Sequence, residues 1–213
     1  TWAAAFTILA ASIVALTKDN LKARLAYSTV SQLSYIVLGG ALATSAGVLG
    51  GGMHIAMHAF GKITLFFCAG AILVGAHKSE ISEMDGLGRR MPFTFGAFFL
   101  GSLSVIGLPP MGGSWSKWHL MLGTIEADQL ALMVVLMASS LLSIAYLMPV
   151  VARGFFRPPP ADDHGNPDEG GRLEIREAPL LCVLPPVLTG IGCVVLFFYA
   201  EDLYRLLMGI VTP

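Results

Sequence analysis

The sequence predicts an all-α integral membrane protein with about six transmembrane helices, the fourth of which is broken near its middle. The chain is 55% hydrophobic and only 13% charged. A soluble domain carries about 25% charged residues, so this chain has too few charges to cover a water-facing surface. In addition, the apolar residues gather into six segments, and most of the charged residues lie between them.

Each of the six segments approaches or exceeds the length that a membrane helix needs. A bilayer core takes about 20 consecutive apolar residues in a helix. The segments are 1–17, 25–45, 48–76, 92–123, 129–155 and 178–199. The first is short at its start, and it has neither an initiator Met nor a signal-peptide pattern. We therefore expect that an N-terminal part of the protein is missing from this chain.

Three connections hold most of the Lys and Arg residues. They are 18–24, 77–91 and 156–177, and they lie on one face of the membrane if all six segments span it. The opposite connections, 46–52 and 124–128, contain no Lys or Arg. The positive-inside rule therefore places the charged connections in the cytoplasm. Connection 156–177 is rich in Pro, Gly and Asp, which is typical of a flexible loop.

Ionisable residues in the third segment are the first candidates for function. His54, His58 and Lys62 follow each other at four-residue intervals, which places them on one face of a helix. An ionisable side chain at membrane depth costs about 2.5–3.5 kcal/mol on insertion scales, so it is a functional candidate by default. A row of exchangeable bases is what a proton relay needs.

Two other interpretations of this row remain open. The three residues could simply hydrogen-bond to neighbouring helices, or His54 and His58 could bind a metal. The i, i+4 spacing permits a metal site. However, Ile55 stands where a zinc-protease motif has Glu, no Cys or acidic residue lies nearby in sequence, and the positive charge of Lys62 would repel a metal ion.

The fourth segment contains a strong helix-breaking sequence. Pro109, Pro110, Gly112 and Gly113 remove backbone donors and weaken the helix, and Lys117 follows directly. A broken helix is tolerated in a membrane where protein buries it or where it lines a wet cavity, and discontinuous helices mark ion sites in transporters. The alternative is an ordinary Pro-Gly turn, with Lys117 reaching to the membrane interface.

The remaining features restrict the class of function. Lys22 opens the second helix, where its charge could serve as a positive-inside anchor or lead into the polar stretch 27–35. No Asp or Glu lies inside the six segments, which favours protons over metal cations as the transported species. Net charge is −1, so no nucleic-acid partner is indicated. We find no catalytic triad, phosphate loop or cofactor motif, and we expect neither a cofactor nor enzymatic chemistry.

Three motifs, in order, resemble one known family. Residues 19–33 look like its D-[IL]-K-R-x-L-A-Y-S-T-x-S-Q signature, residues 54–66 look like H-x-x-x-H-A-x-x-K-x-x-L-F, and residues 113–117 look like G-F-x-S-K. These motifs are typical of the antiporter-like membrane subunits shared by Mrp-type Na⁺/H⁺ antiporters and respiratory complex I. The resemblance extends to about residue 155. In this chain Arg24 comes two residues after Lys22, Ser34 replaces a Gly, and Trp115 replaces a Phe.

The resemblance implies a fold and a set of site residues. It implies a protein of about 14 helices with two inverted five-helix repeats, in which residues 1–155 form the second repeat. Residues 156–177 would be a cytoplasmic loop, and residues 178–213 would be the last transmembrane helix and a tail. By motif match, the proton path falls on Lys22, His54, His58, Lys62 and Lys117.

The resemblance also implies the functional context. Residues 109–118 and the single-helix C-terminus look most like the MrpD component of the Mrp antiporter. The first hypothesis is therefore that the chain belongs to a subunit of a monovalent cation/proton antiporter, a multi-pass protein of the bacterial inner membrane. Its partners would be other subunits, the lipid bilayer, protons and Na⁺. The second hypothesis is a proton-pumping subunit of a redox complex, either an NADH-quinone oxidoreductase or a membrane-bound hydrogenase. A third makes this half an inert scaffold.

Overall fold

The computed structural model describes residues 1–158 and 175–211, and in these ranges the chain is helical, with only short connections between helices. Seven helices come before the gap: α1 (Trp2–Thr17), α2 (Leu21–Leu42), α3 (Ser45–Ala76), α4 (Leu87–Arg90), α5 (Pro92–Ile106), α6 (Gly113–Glu126) and α7 (Leu130–Phe156). Two follow it: α8 (Leu180–Phe198) and α9 (Ala200–Val211). Most of the predicted loop 156–177 lies outside the described residues.

The all-helical membrane fold is confirmed. In the described ranges, α2, α3, α7 and α8 are long and apolar enough to cross a membrane, and α1 and α5 are shorter apolar helices. Helix α2 begins at Leu21, earlier than hydropathy alone predicted, because the Asn20 side chain accepts a hydrogen bond from the Ala23 amide. This cap brings Lys22 and Arg24 into the first turns of the helix.

Helix α3 is the centre of the bundle. Its 32 residues correspond to about 48 Å, longer than the roughly 30 Å of a bilayer core. It packs against α2, α5, α6, α8 and α9, while α1 packs on α2 and α7. Glycine allows a close approach between α3 and α6: a Cβ on Gly50 would lie 2.6 Å from the Leu120 amide nitrogen of α6.

The charged connections meet at one end of the bundle, as predicted. Leu21 donates its amide to Ser79 and Ile81 donates its amide to Asp19, which ties the first connection to the second. Asp85 pairs with Arg153 and Arg157 at the end of α7, at 3.4 Å each. This common face agrees with the topology from which the cytoplasmic side was predicted.

The predicted break in the fourth segment is confirmed and separates α5 from α6. Helix α5 ends at Ile106 and is capped by Gly107, whose φ of 90° favours glycine, and α6 starts at Gly113. The Gly112 amide donates to the Cys193 carbonyl of α8 at 3.0 Å, so protein contacts cover the broken backbone. The two half-helices therefore meet inside the bundle, close to Lys117.

The residues after the sixth apolar segment form a helix that the sequence analysis did not predict. Helix α9 follows α8 directly after Tyr199 and packs against the N-terminal half of α3. Its apolar side chains contact Met53 and Met57, while Glu201 and Arg205 remain exposed and pair at 3.0 Å. The tail is therefore an amphipathic helix joined to the bundle.

Candidate functional site

The row predicted on α3 is buried inside the bundle. His54, His58 and Lys62 are 2%, 7% and 5% exposed, respectively. The two imidazole rings stack with their centroids 5.6 Å apart and an interplanar angle of 19°. One helical face thus carries three basic groups away from lipid, as the four-residue spacing predicted.

Lys62 is held by helix α2. Its ammonium nitrogen donates to the Ser28 hydroxyl at 2.6 Å and to the Leu25 carbonyl at 3.2 Å. The polar stretch on α2 therefore faces the protein interior, as expected for hydroxyls that bond to a neighbouring helix.

Helix α7 extends this end of the row. The Tyr146 hydroxyl lies 2.8 Å from the Ser28 hydroxyl and 3.0 Å from the Ser143 hydroxyl. Ser143 in turn donates to the Ser139 carbonyl at 2.9 Å. Lys62 of α3 therefore donates to the first member of a chain of hydroxyl groups that crosses from Ser28 of α2 to Tyr146 and Ser143 of α7.

A cluster of three serines lies next to this chain. The Ser12 hydroxyl of α1 is 2.8 Å from the Ser31 hydroxyl and 3.1 Å from the Ser139 hydroxyl, and all three residues are buried. Hydroxyl groups can both donate and accept, so the cluster joins α1, α2 and α7 without a charged residue.

Lys117 lies in the second turn of α6, just after the break, and is 6% exposed. Its ammonium nitrogen donates to the Ile106 carbonyl, the last residue of α5, at 2.9 Å and to the Ser140 hydroxyl at 3.0 Å. The break therefore provides a free helix-end carbonyl that only a donor from outside α5 can satisfy.

Tyr35 and Ser116 connect Lys117 to the row on α3. The Lys117 nitrogen lies 5.0 Å from the centre of the Tyr35 ring, and that ring stacks on His54 at 5.5 Å. The Ser116 hydroxyl lies 2.9 Å from His54 Nδ1. Four of the five predicted path residues thus belong to one buried group: His54, His58, Lys62 and Lys117.

Lys22, the fifth, lies apart from this group. Its side chain is exposed on the first turn of α2, whereas Arg24 is buried. Arg24 donates to the Lys18 carbonyl at 2.8 Å and to the Tyr146 carbonyl at 3.0 Å. Its guanidinium group thus fixes the start of α2 against α7, and a role for Lys22 in proton transfer remains a prediction.

Several buried polar atoms in this region make no hydrogen bond of standard geometry. They include His54 Nε2, His58 Nδ1 and the amide of Gln32. Buried polar groups normally have partners, so such atoms suit a site where bound water completes the network. Among the described residues, no three His, Cys, Asp or Glu side chains are grouped as a metal site would need.

Helix α7 contributes polar groups to the site that were not predicted from the sequence. Ser139, Ser143 and Tyr146 lie at intervals of four and three residues inside an apolar segment, and Ser140 lies beside them. That spacing puts the first three on one helical face, so the signal was present in the sequence. Serine is common in membrane helices, which makes it a weak marker without knowledge of its neighbours.

Comparison with known proteins agrees with this architecture. Residues 1–143 match the family described as NADH:quinone oxidoreductase/Mrp antiporter, TM. The chain is 38% identical over 205 residues to NADH-quinone oxidoreductase subunit N of Desulforudis audaxviator, covering 95% of this chain and 41% of the relative. The chain thus spans less than half the length of this relative.

Two solved structures share the fold. A chain of the Mrp complex from Dietzia sp. DQ12-45-1b superposes with a TM-score of 0.85 at 23% identity, covering 96% of this chain and 45% of that one. A chain of the membrane-bound sulfane sulfur reductase, an archaeal respiratory membrane complex, superposes with a TM-score of 0.79 at 27% identity, covering 91% and 30%.

A bundle of membrane helices with a broken helix and buried basic residues defines a membrane subunit of the antiporter-like class. The chain belongs to the NADH:quinone oxidoreductase/Mrp antiporter membrane family, and the family resemblance found in the sequence is confirmed.

Proposed function

We propose that this chain conducts protons across the membrane as part of a larger subunit of a multisubunit complex. The observation that carries the proposal is the buried group of His54, His58, Lys62 and Lys117, to which no acidic side chain of the described residues is bonded. Burying bare ammonium or imidazolium charges is costly, so residues of this kind at membrane depth are kept where they act on ions or protons.

The geometry supports transfer in short steps. His58 lies one helical turn from both Lys62 and His54, and Lys117 reaches the same region through Tyr35 and Ser116. The unpartnered ring nitrogens of His54 and His58 are sites where water molecules can bridge adjacent groups. A proton can then move between neighbouring bases without any side chain crossing the bundle.

The charge of the site supports protons as the conducted species. Within the described ranges, no Asp or Glu is buried, whereas two lysines and two histidines are. Sodium takes oxygen ligands, particularly carboxylates, and positive side chains repel it. If the complete protein exchanges sodium for protons, we propose that this half carries the proton.

For the energy source we keep both candidates. The motif at residues 109–118 supports a subunit of a Mrp-type Na⁺/H⁺ antiporter. The 38% identical relative supports a redox-driven proton pump, since that protein is named as a subunit of an NADH-quinone oxidoreductase. The likeness to the Mrp complex at 23% identity concerns the fold alone.

The surroundings follow from the same class. We propose that residues 1–155 form the second five-helix repeat, that residues 156–177 connect it on the cytoplasmic side, and that residues 178–213 complete the subunit. Its partners would be the rest of its own chain, other subunits and the lipid of a bacterial inner membrane. The many exposed apolar side chains of α7 and α8 support such contacts.

The test is proton movement in everted vesicles that contain the assembled complex. The native complex should show either sodium-dependent collapse of a pH gradient or redox-driven acidification. Lys62→Ala should abolish the activity that the native complex shows. Lys78→Ala is the matched control, because Lys78 lies in the charged connection, outside the buried group. Its ammonium nitrogen pairs with the Glu83 carboxylate at 3.9 Å, and both side chains are exposed. This control variant should retain native flux.

The result separates the candidates. Sodium-dependent flux in the native complex supports the antiporter, and flux that requires an electron donor supports the redox pump. Full flux in an assembled Lys62→Ala complex would instead mean that these residues only hold helices together, and the proposal would be wrong.

A further inference from the structure

A second titratable group lies at the end of the bundle opposite the charged connections. There α3, α6, α8 and α9 line a cavity of about 160 Å³, whose lining includes Met53, Trp115, His119, Glu201 and Tyr204. The imidazole of His119 stacks on the Tyr204 ring, with centroids 5.0 Å apart and an interplanar angle of 23°. A cavity of this size accommodates several water molecules.

This cavity lies near the His54 end of the buried row, because Met53, the residue before His54, lines it. His54 contacts the Ser116 hydroxyl at 2.9 Å, and His119 follows Ser116 by three residues, on the same side of α6. A Cβ on Gly50 would lie 3.0 Å from the His119 Cβ, and Gly50 precedes His54 by one turn of α3. His119 is therefore about one helical turn beyond His54, towards the N-terminal end of α3.

The C-terminal helix brings acidic groups to this end of the molecule. Glu201 lines the cavity and pairs with Arg205 at 3.0 Å on the outer side of α9. Glu126 lies two turns beyond His119 on α6, and its carboxylate accepts a hydrogen bond from the Ala46 amide at 3.1 Å. His119 is thus faced by Tyr204 and Glu201 from α9 and by Glu126 along its own helix.

We infer that His119, with Glu201 beside it, forms the outer terminus through which protons enter or leave the buried row. This inference rests on the proposed proton conduction. A proton arrives through the His54–Ser116 contact and cavity water at one ring nitrogen of His119. The other ring nitrogen gives its proton to the Glu201 carboxylate or to bulk water, so only N–H and O–H bonds change.

The test uses the assembled complex in proteoliposomes, with proton flux driven by whichever ion gradient or redox donor works for the native complex. His119→Phe keeps a ring that can stack on Tyr204 but cannot carry a proton. It should lower flux by at least about tenfold, since positioned acid–base groups contribute factors of this size or larger. Imidazole supplied at the outer face should restore flux in His119→Ala, because Glu201, which lines the cavity beside His119, is exposed.

A matched pair of variants, one test and one control, keeps the outcome interpretable. His119→Asn and His77→Asn remove one histidine each from opposite ends of the bundle, and His77 is exposed at the end of α3. Only His119→Asn should slow transport and flatten its dependence on outer pH. Assembly is checked by native gel for every variant.

The outcomes also separate this inference from the proposed function. If His119→Phe retains flux within twofold of native while Lys62→Ala is inactive, His119 is a packing residue and the inference is wrong. If Lys62→Ala also retains native flux, proton conduction by the buried row is itself wrong, and the outer terminus is refuted with it.

Discussion

The Tyr146 hydroxyl group offers the sharpest test of whether protons pass from Lys62 along the hydroxyl chain into α7. It lies between the hydroxyls of Ser28 and Ser143, at 2.8 and 3.0 Å, and Tyr146 is fully buried. Tyr146→Phe removes this one oxygen and keeps the ring that packs in the core. The substitution therefore interrupts the hydroxyl chain with little change in volume.

The expected loss follows from the two hydrogen bonds. Each neutral bond contributes about 0.5–1.5 kcal/mol to stability, so the free energy of unfolding falls by about 1–3 kcal/mol. A hydrogen bond to a charged group is worth about 1.5–3 kcal/mol. If the hydroxyl stabilises a passing proton by that amount, its loss slows flux by about 10- to 150-fold, at about 1.4 kcal/mol per tenfold.

The assay is proton flux in vesicles that contain the assembled variant complex. Tyr27→Phe is the matched control, because Tyr27 is partly exposed on α2 and its ring, which lies 5.5 Å from the Lys18 ammonium, is kept. It should conduct at the native rate. Flux within twofold of native in Tyr146→Phe, with Lys62→Ala inactive, would show that protons bypass the hydroxyl chain.

Three further predictions concern stability, measured as the thermal midpoint of the purified, assembled complex. Gly50→Ala should lower the free energy of unfolding by about 1–3 kcal/mol or more, because its Cβ would press on the α6 backbone. Gly70→Ala, with open space around it, should leave the midpoint unchanged or raise it. Equal midpoints for the two variants would refute the close contact at Gly50. Glu177→Ala should cost about 1–2 kcal/mol, since its carboxylate accepts from two backbone amides and a hydroxyl at the start of α5, and an unchanged midpoint would contradict this cap. Asp85→Ala should cost less than about 1 kcal/mol, because both of its arginine pairs are long and partly exposed; a larger loss would mean that they act as a network.

The centre of the site could be predicted from sequence because its signal is local. His54, His58 and Lys62 share one helix, so their four-residue spacing alone places them on one face. Lys117 was found for a different reason: the Pro-Gly break beside it is rare in a membrane helix. In each case the cost of a charge or a broken helix in lipid made the residue conspicuous.

The remainder depends on contacts between helices, which no local pattern encodes. Ser143 and Tyr146 become part of the site only because α7 packs against α2 at their level. The burial of Arg24 instead of Lys22 depends on the rotation of α2, and a difference of two residues reverses it. Helix α9 escaped prediction because its charged face lowers its hydropathy below that of a spanning segment.

The absence of buried carboxylates in the described part of the chain has a consequence for how many protons the path can hold. Buried basic side chains without acidic partners are more stable in their neutral form than in their charged form. Each proton on the path is therefore an excess positive charge. Two such charges inside a low-dielectric bundle repel each other strongly. The path should therefore hold one excess proton at a time, so that one proton leaves before the next one enters. In such a path, proton entry waits for proton exit, and the slower of these two steps sets the rate of proton flux.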